Sequence, residues 1–117
     1  MENDQIKIKF FTTSDADACY QIRSDAFTKI FHEEIGANAV TSAVNAYLPE
    51  NFVSLNESIP IFVAFDGEEQ VGFIASRFIE DKIEILFLYI GLDQLRKGIG
   101  VKLVEYFENW IKGTSNN

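Results

Sequence analysis

The sequence is poor in cysteine, histidine, basic charge and long apolar runs. Its one cysteine, Cys19, excludes an intramolecular disulfide framework. Its one histidine, His32, has neither a second histidine nor a cysteine pair to join it, so no metal site is expected. The apolar run Ile85 to Ile90 is far short of the roughly 20 residues of a membrane-spanning helix. The opening residues MENDQIKIKF lack the apolar stretch of a signal peptide, so a cytoplasmic protein is expected. Lys and Arg number 10 against 18 Asp and Glu, a net charge of −8, and Arg96-Lys97 is the sole basic pair. That excludes a nucleic-acid binder, which needs cations to displace counterions. An acidic surface favours a cationic small molecule or a basic peptide by long-range attraction, or serves solubility alone. There is no G-x-S-x-G for a serine hydrolase. Repeats and low-complexity stretches are also missing.

What is present is a core. Apolar residues make up 47% of the 117 residues and Phe occurs 11 times, which excludes disorder and points to one domain, residues 1–117. Ile6 to Phe11 alternates like a half-buried strand. Thr12 to Asp15 offers N-cap side chains, with Ser14 and Asp17 at capping-box spacing. Cys19, Ile22, Ala26, Phe27 and Ile30 form a helical stripe, which makes Cys19 a core residue and no nucleophile. Ala37 to Leu48 predicts a second helix, ended by Pro49. Phe27, Phe31, Tyr47, Phe52 and Phe107 read as core or interface aromatics. Asn51 to Pro60 reads as a loop and includes the sequon Asn56-Glu57-Ser58. Ile61 to Phe65 and Val71 to Phe78 are strands around the turn signal Asp66-Gly67. After a turn at Glu80-Asp81, Ile83 to Ile90 reads as a buried central strand. A final helix runs from near Gly98 to Gly113, leaving 113–117 as a frayed tail. Strand, two helices, three-strand meander, helix is an α+β arrangement on a mostly antiparallel sheet.

The chemistry-bearing segment is Leu95-Arg96-Lys97-Gly98-Ile99-Gly100. A glycine-containing turn into a helix can aim several backbone N–H groups at one anion, and the helix N-terminus adds partial positive charge. Gly98 and Gly100 permit close approach, and Arg96 and Lys97 can add charged contacts. It is neither a Walker A loop nor a dinucleotide G-x-G-x-x-G.

Leu88-Tyr89-Ile90-Gly91-Leu92-Asp93-Gln94-Leu95-Arg96-Lys97-Gly98-Ile99-Gly100 resembles, without a gap, the L-Y-V-x-P-x-x-Q/R-x-x-G-x-G/A segment of the GNAT superfamily of N-acetyltransferases. The first strand, the Thr-Ser-Asp-Ala helix start and the hairpin Phe65 to Ile74 resemble the same family in the same order. The resemblance implies a GNAT-like fold that binds acetyl-CoA as acyl donor. Leu95 to Gly100 would hold the pyrophosphate through backbone amides, and the backbone of Leu88, Tyr89 and Ile90 would pair with the pantetheine arm. Glu84, in Glu84-Ile85-Leu86-Phe87, matches the general base of the histone acetyltransferase branch. Strand alternation puts it on the face of Ile90, and an apolar strand would raise its pKa. Two departures stand out. Leu95 occupies the usual Gln or Arg position. The sequence ends at Asn117, before the strands and helix that follow in the family, so no tyrosine general acid is carried over.

The implied function is acetyl transfer from acetyl-CoA to a primary amine, small molecule or peptide. The alternative is a catalytically inactive GNAT-like module that binds acyl-CoA or a protein partner. His32-Glu33-Glu34 borders the family's acceptor region and could attract an amine, or be a solvated turn. With nothing after it, Ile83–Ile90 becomes an open edge, so a homodimer covering this strand is expected. A separate partner subunit, or a chain that is a piece of a longer protein, would serve equally.

Overall fold

The computed structural model describes residues 5–115. Strand β1 (Ile6–Phe10) leads through a 3-10 turn (Thr13–Asp15) into α1 (Ala16–Ile35), α2 (Ala37–Asn45) and α3 (Pro49–Asn56). Strands β2 (Ile61–Asp66), β3 (Glu69–Ile79) and β4 (Lys82–Ile90) follow, then a 3-10 turn (Leu92–Gln94) and α4 (Ile99–Ser115). The four strands form one antiparallel sheet in the order β1-β2-β3-β4.

Alternation along β2 and β3 creates two cores. Ile61, Val63, Phe73 and Ala75 pack with Cys19 and Ile22 of α1 and Phe52 of α3. Phe62, Ala64 and Ile74 point the other way, onto Ile99, Leu103, Phe107 and Ile111 of α4. Both cores are dense in edge-on aromatic contacts, such as Phe52 on Phe73 at 5.4 Å and Phe62 on Trp110 at 5.5 Å.

The start of α1 is fixed by Asp15. Its buried carboxylate accepts the Thr12 N–H (2.9 Å) and a hydrogen bond from Gln70 Nε2 of β3 (3.0 Å). The capping pair is therefore Thr12 with Asp15, not Ser14 with Asp17. Asn51 to Pro60 is not simply a loop. Pro49 opens α3 from its first turn, where the missing N–H costs nothing. Asn56 Oδ1 then accepts the Ile61 N–H at 3.3 Å, tying α3 to β2. Ile30 is exposed, so the buried stripe of α1 ends at Ala26.

The strand Ile83–Ile90 is not central. It lies at the edge of the sheet, and Ile85, Leu86 and Leu88 are 44%, 36% and 37% exposed. The strands covered on both faces are β2 and β3. An apolar run reports that a strand suits burial, and it cannot report which neighbours exist. The last helix passes through Gly113 to Ser115. Asn116 and Asn117, the end of the expected frayed tail, lie outside the described residues.

Candidate functional site

The edge of β4, which has no neighbouring strand among the described residues, and the turn that follows it make the candidate site. The Gly91 N–H bonds Val71 O of β3 at 2.9 Å. Alternation of an antiparallel ladder then turns the N–H and C=O of Leu88 and Ile90 toward the free edge, and those of Tyr89 toward β3. Gly72 of β3 makes the junction possible. A Cβ there would lie 2.9 Å from Ile90 Cδ1 and 3.1 Å from Tyr89 O, so the glycine lets β4 and the start of α4 settle closely over it.

The 3-10 turn Leu92–Gln94 is closed by the Gln94 N–H on Gly91 O (2.8 Å). Arg96 and Gly98 both have positive φ, 70° and 77°. For Arg96 this left-handed conformation costs roughly 1–2 kcal/mol. Left-handed residues interspersed in a turn gather successive N–H groups into a concave anion nest. The first N–H of the helical ladder is that of Lys102, bonding Gly98 O at 3.1 Å. Those ahead of it have no intrahelical acceptor and add to the nest. Leu95 is half exposed and contributes no polar group, while the neighbouring Gln94 is buried and accepts from Lys97 Nζ at 3.2 Å. Gln94 thus braces the turn from inside, a role the sequence did not disclose.

Each expected cofactor-binding residue can be placed. Arg96, Lys97 and Gly98 are exposed on the turn. Ile99 is buried in the α4 core, so it offers a ligand only backbone. Gly100 lies on the first turn of α4, where an added Cβ meets nothing within 4 Å. Beside it runs an apolar groove of about 420 Å³ lined by Leu88, Gly100, Val101, Val104 and Glu105. Ile90 packs on the α4 face and Tyr89 on the opposite one, against Phe73. Nest, groove and free strand edge are contiguous, a fit for a long ligand with an anionic end and an amide-bearing arm.

Glu84 is placed differently from expectation. Ala75 pairs with Phe87 and Ser76 with Ile85, so Leu86 is an extra residue in β4. This bulge reverses the alternation and sends Glu84 to the face opposite Ile90, the face covered by α1, α2 and α3. The expected apolar surroundings are not there. The Glu84 side chain is 55% exposed and accepts a hydrogen bond from Arg77 Nε.

On that same face, Arg23 of α1 lies over the rings of Phe27, Tyr47 and Phe87, 5.4 to 5.6 Å from their centroids. Burial raises the Tyr47 phenol above its ordinary pKa, and the Arg23 charge partly offsets this. The sequence marks Phe27 and Tyr47 as packing aromatics and does not single out Arg23. The i, i+4 spacing of Arg23 and Phe27 is the one local signal available. His32, Glu33 and Glu34 are exposed at the end of α1. Among the described residues no cluster of three metal-ligating side chains occurs, and no helix is long and apolar enough to cross a membrane.

Comparison with known proteins adds three structures of the same fold. The PaiA N-acetyltransferase of Thermoplasma acidophilum, solved with coenzyme A, superposes with a TM-score of 0.84 at 21% identity, over 94% of this chain and 74% of that one. Ard1 of Thermoplasma volcanium gives 0.67 at 18% identity, over 93% and 65%. An aminoglycoside acetyltransferase from an uncultured soil metagenome, solved with sisomicin, gives 0.67 at 19% identity, over 97% and 74%. A search of curated proteins by sequence finds no match. The model of the acetyltransferase (GNAT) family matches residues 16–116, a span that takes in α1, the sheet from β2 onward, the nest and α4. The chain belongs to the GNAT acetyltransferase family.

Proposed function

We propose that the protein transfers an acetyl group from acetyl-CoA to a primary amine. The observation that carries this reading is the continuity of the nest at 95–100 with the Gly100 groove and the free edge of β4. In this reading the backbone N–H groups of Arg96 to Gly100 hold the pyrophosphate, and Arg96 and Lys97 add charge. The outward N–H and C=O of Ile90 and the outward C=O of Leu88 pair with the amides of the pantetheine arm, as an added strand would. The Leu88 N–H, on the same edge and farther from the nest, polarises the thioester carbonyl. The amine nitrogen attacks that carbon, the C–N bond forms as the C–S bond breaks, and CoA leaves as its thiol. Glu84 takes the proton that the substrate ammonium must lose before attack, from the α1 side of the sheet, directly or through water, and the proton shed by the new amide nitrogen goes to the leaving thiolate. The free edge of β4 also supports a homodimer through that strand.

A second reading has one observation in its favour. Leu95 places half-exposed apolar surface where the family pattern has Gln or Arg, which suits a module that binds without turnover.

Calorimetric titration with acetyl-CoA tests the first reading. Gly100→Trp is the control, since a side chain there meets open space and fills the groove without disturbing the core. Binding by the wild type that the variant loses is the expected result. No binding at millimolar acetyl-CoA overturns the reading. Where turnover is found, Glu84→Gln is expected to lower kcat by about 10²-fold or more, the usual weight of a general base. An unchanged kcat removes Glu84 from that role.

A further inference from the structure

Arg23 is a cation without an anion. Its Nε and Nη1 are buried and make no hydrogen bond, and no carboxylate pairs with it among the described residues. Phe27, Tyr47 and Phe87 hold the guanidinium from three elements: α1, the turn after α2, and β4. Cation–π contact compensates part of the lost hydration, but rings supply no negative charge. Desolvated guanidinium groups are ordinarily matched by carboxylates. None of the acidic residues among those described supplies such a partner. With Nε and Nη1 covered, Nη2 is the nitrogen left to meet a ligand.

The position of this cation gives it meaning. Phe87, beneath it, lies on the same face of β4 as Glu84, the proposed proton acceptor, which Arg77 holds by a hydrogen bond. With Leu86 bulged out, the two stand opposite Ala75 and Arg77, two strand residues apart or roughly 7 Å. A ligand lying along this face would meet a carboxylate at one end and a guanidinium at the other. The surface charge of −8 favours a monoanion over a dianion at a single cation.

We infer that Arg23 is a specificity residue for the acceptor, and that the acceptor is an amine that also bears a carboxylate, with several methylenes between the two. The inference rests on the acetyltransferase reading for the identity of the amine end. Arg23 binds the carboxylate, and the amine then reaches Glu84 and the thioester. The acidic surface alone would have selected a plain polyamine or another polycation, so the two predictions are opposed.

The test compares 5-aminovalerate with n-pentylamine by titration calorimetry on the whole chain, saturated with CoA where it binds. The wild type is expected to bind 5-aminovalerate at least about tenfold tighter. Arg23→Met, close in size and neutral, is expected to erase the difference. Arg23→Lys, which keeps the charge, is expected to restore part of it and guards against a folding defect in the first variant. Equal binding of the two ligands, tighter binding of pentylamine, or a preference that persists in Arg23→Met overturns the inference. A purely structural Arg23 would lower thermal stability and leave the ligand preference alone. Acetyl-CoA titrated into the same samples reports separately on the underlying reading. If acetyl-CoA fails to bind while 5-aminovalerate still discriminates, the transferase reading falls and the carboxylate site stands.

Discussion

Cys19 is fully buried between α1 and the sheet, and burial pushes its thiol from 9.0 up to about 12, with the Asp15 carboxylate adding to the effect. The folded protein therefore keeps a proton that the unfolded chain releases above about pH 9. This contribution to stability is complete below pH 9 and is lost as pH rises from 9 toward 12. One differential proton amounts to roughly 1.4 kcal/mol per pH unit at most. In urea unfolding between pH 9 and 11, wild type is expected to lose stability more steeply than Cys19→Ala. Equal slopes would mean that the thiol ionises freely in the fold. At this scale the sequence was legible where a residue's role follows from its own helix. Cys19 on the α1 stripe is such a case. It was not legible for Arg23, whose partners Tyr47 and Phe87 come from distant elements. Nor was it for Glu84, whose face depends on one bulged residue, Leu86.

Between β3 and β4 the chain reverses through Glu80 and Asp81, both at positive φ (53° and 63°). Two consecutive left-handed residues are the signature of a type I′ turn, which suits the strand twist and favours Asn followed by Gly. Here two ordinary acidic residues carry the strain, side by side and with like charge. The double substitution Glu80→Asn with Asp81→Gly supplies the residues that this turn prefers. It is expected to stabilise the fold by about 1 kcal/mol, read as a higher urea midpoint with unchanged m. A lower midpoint would show that the turn geometry is not of this kind. The hairpin at Gly67 already has glycine at the first turn position, at φ 65°, so no such gain exists there. Element existence was legible for β1 to β4, α1, α2 and α4, because alternation, helical spacing and turn residues agree with the final pairing. The missed element is α3. Eight residues give too few turns for periodicity to register, and its main signal, Pro49, serves equally well as the stop of one helix and the first turn of the next.

For the whole molecule, the proposed homodimer turns on the outer side of β4. Among the described residues that side presents unpaired backbone groups at Leu88 and Ile90 and apolar side chains at Ile85, Leu86 and Leu88, a template for another strand. In the proposed reading two ligands compete for that template: the pantetheine arm of acetyl-CoA, and β4 of a second copy. Binding linkage then requires that each weaken the other by the same factor. Sedimentation velocity over a concentration series is expected to find a dimer that acetyl-CoA shifts toward monomer. Leu86→Lys places a charge on the edge at the bulge, outside the Leu88–Ile90 stretch proposed to pair with pantetheine. It is therefore expected to abolish the dimer and leave acetyl-CoA affinity unchanged or slightly raised. A dimer indifferent to acetyl-CoA would place the contact on another surface. A monomer at every concentration, with the outward amides of Leu88 and Ile90 slow to exchange, would overturn the edge argument, since those amides would then have a partner within the chain.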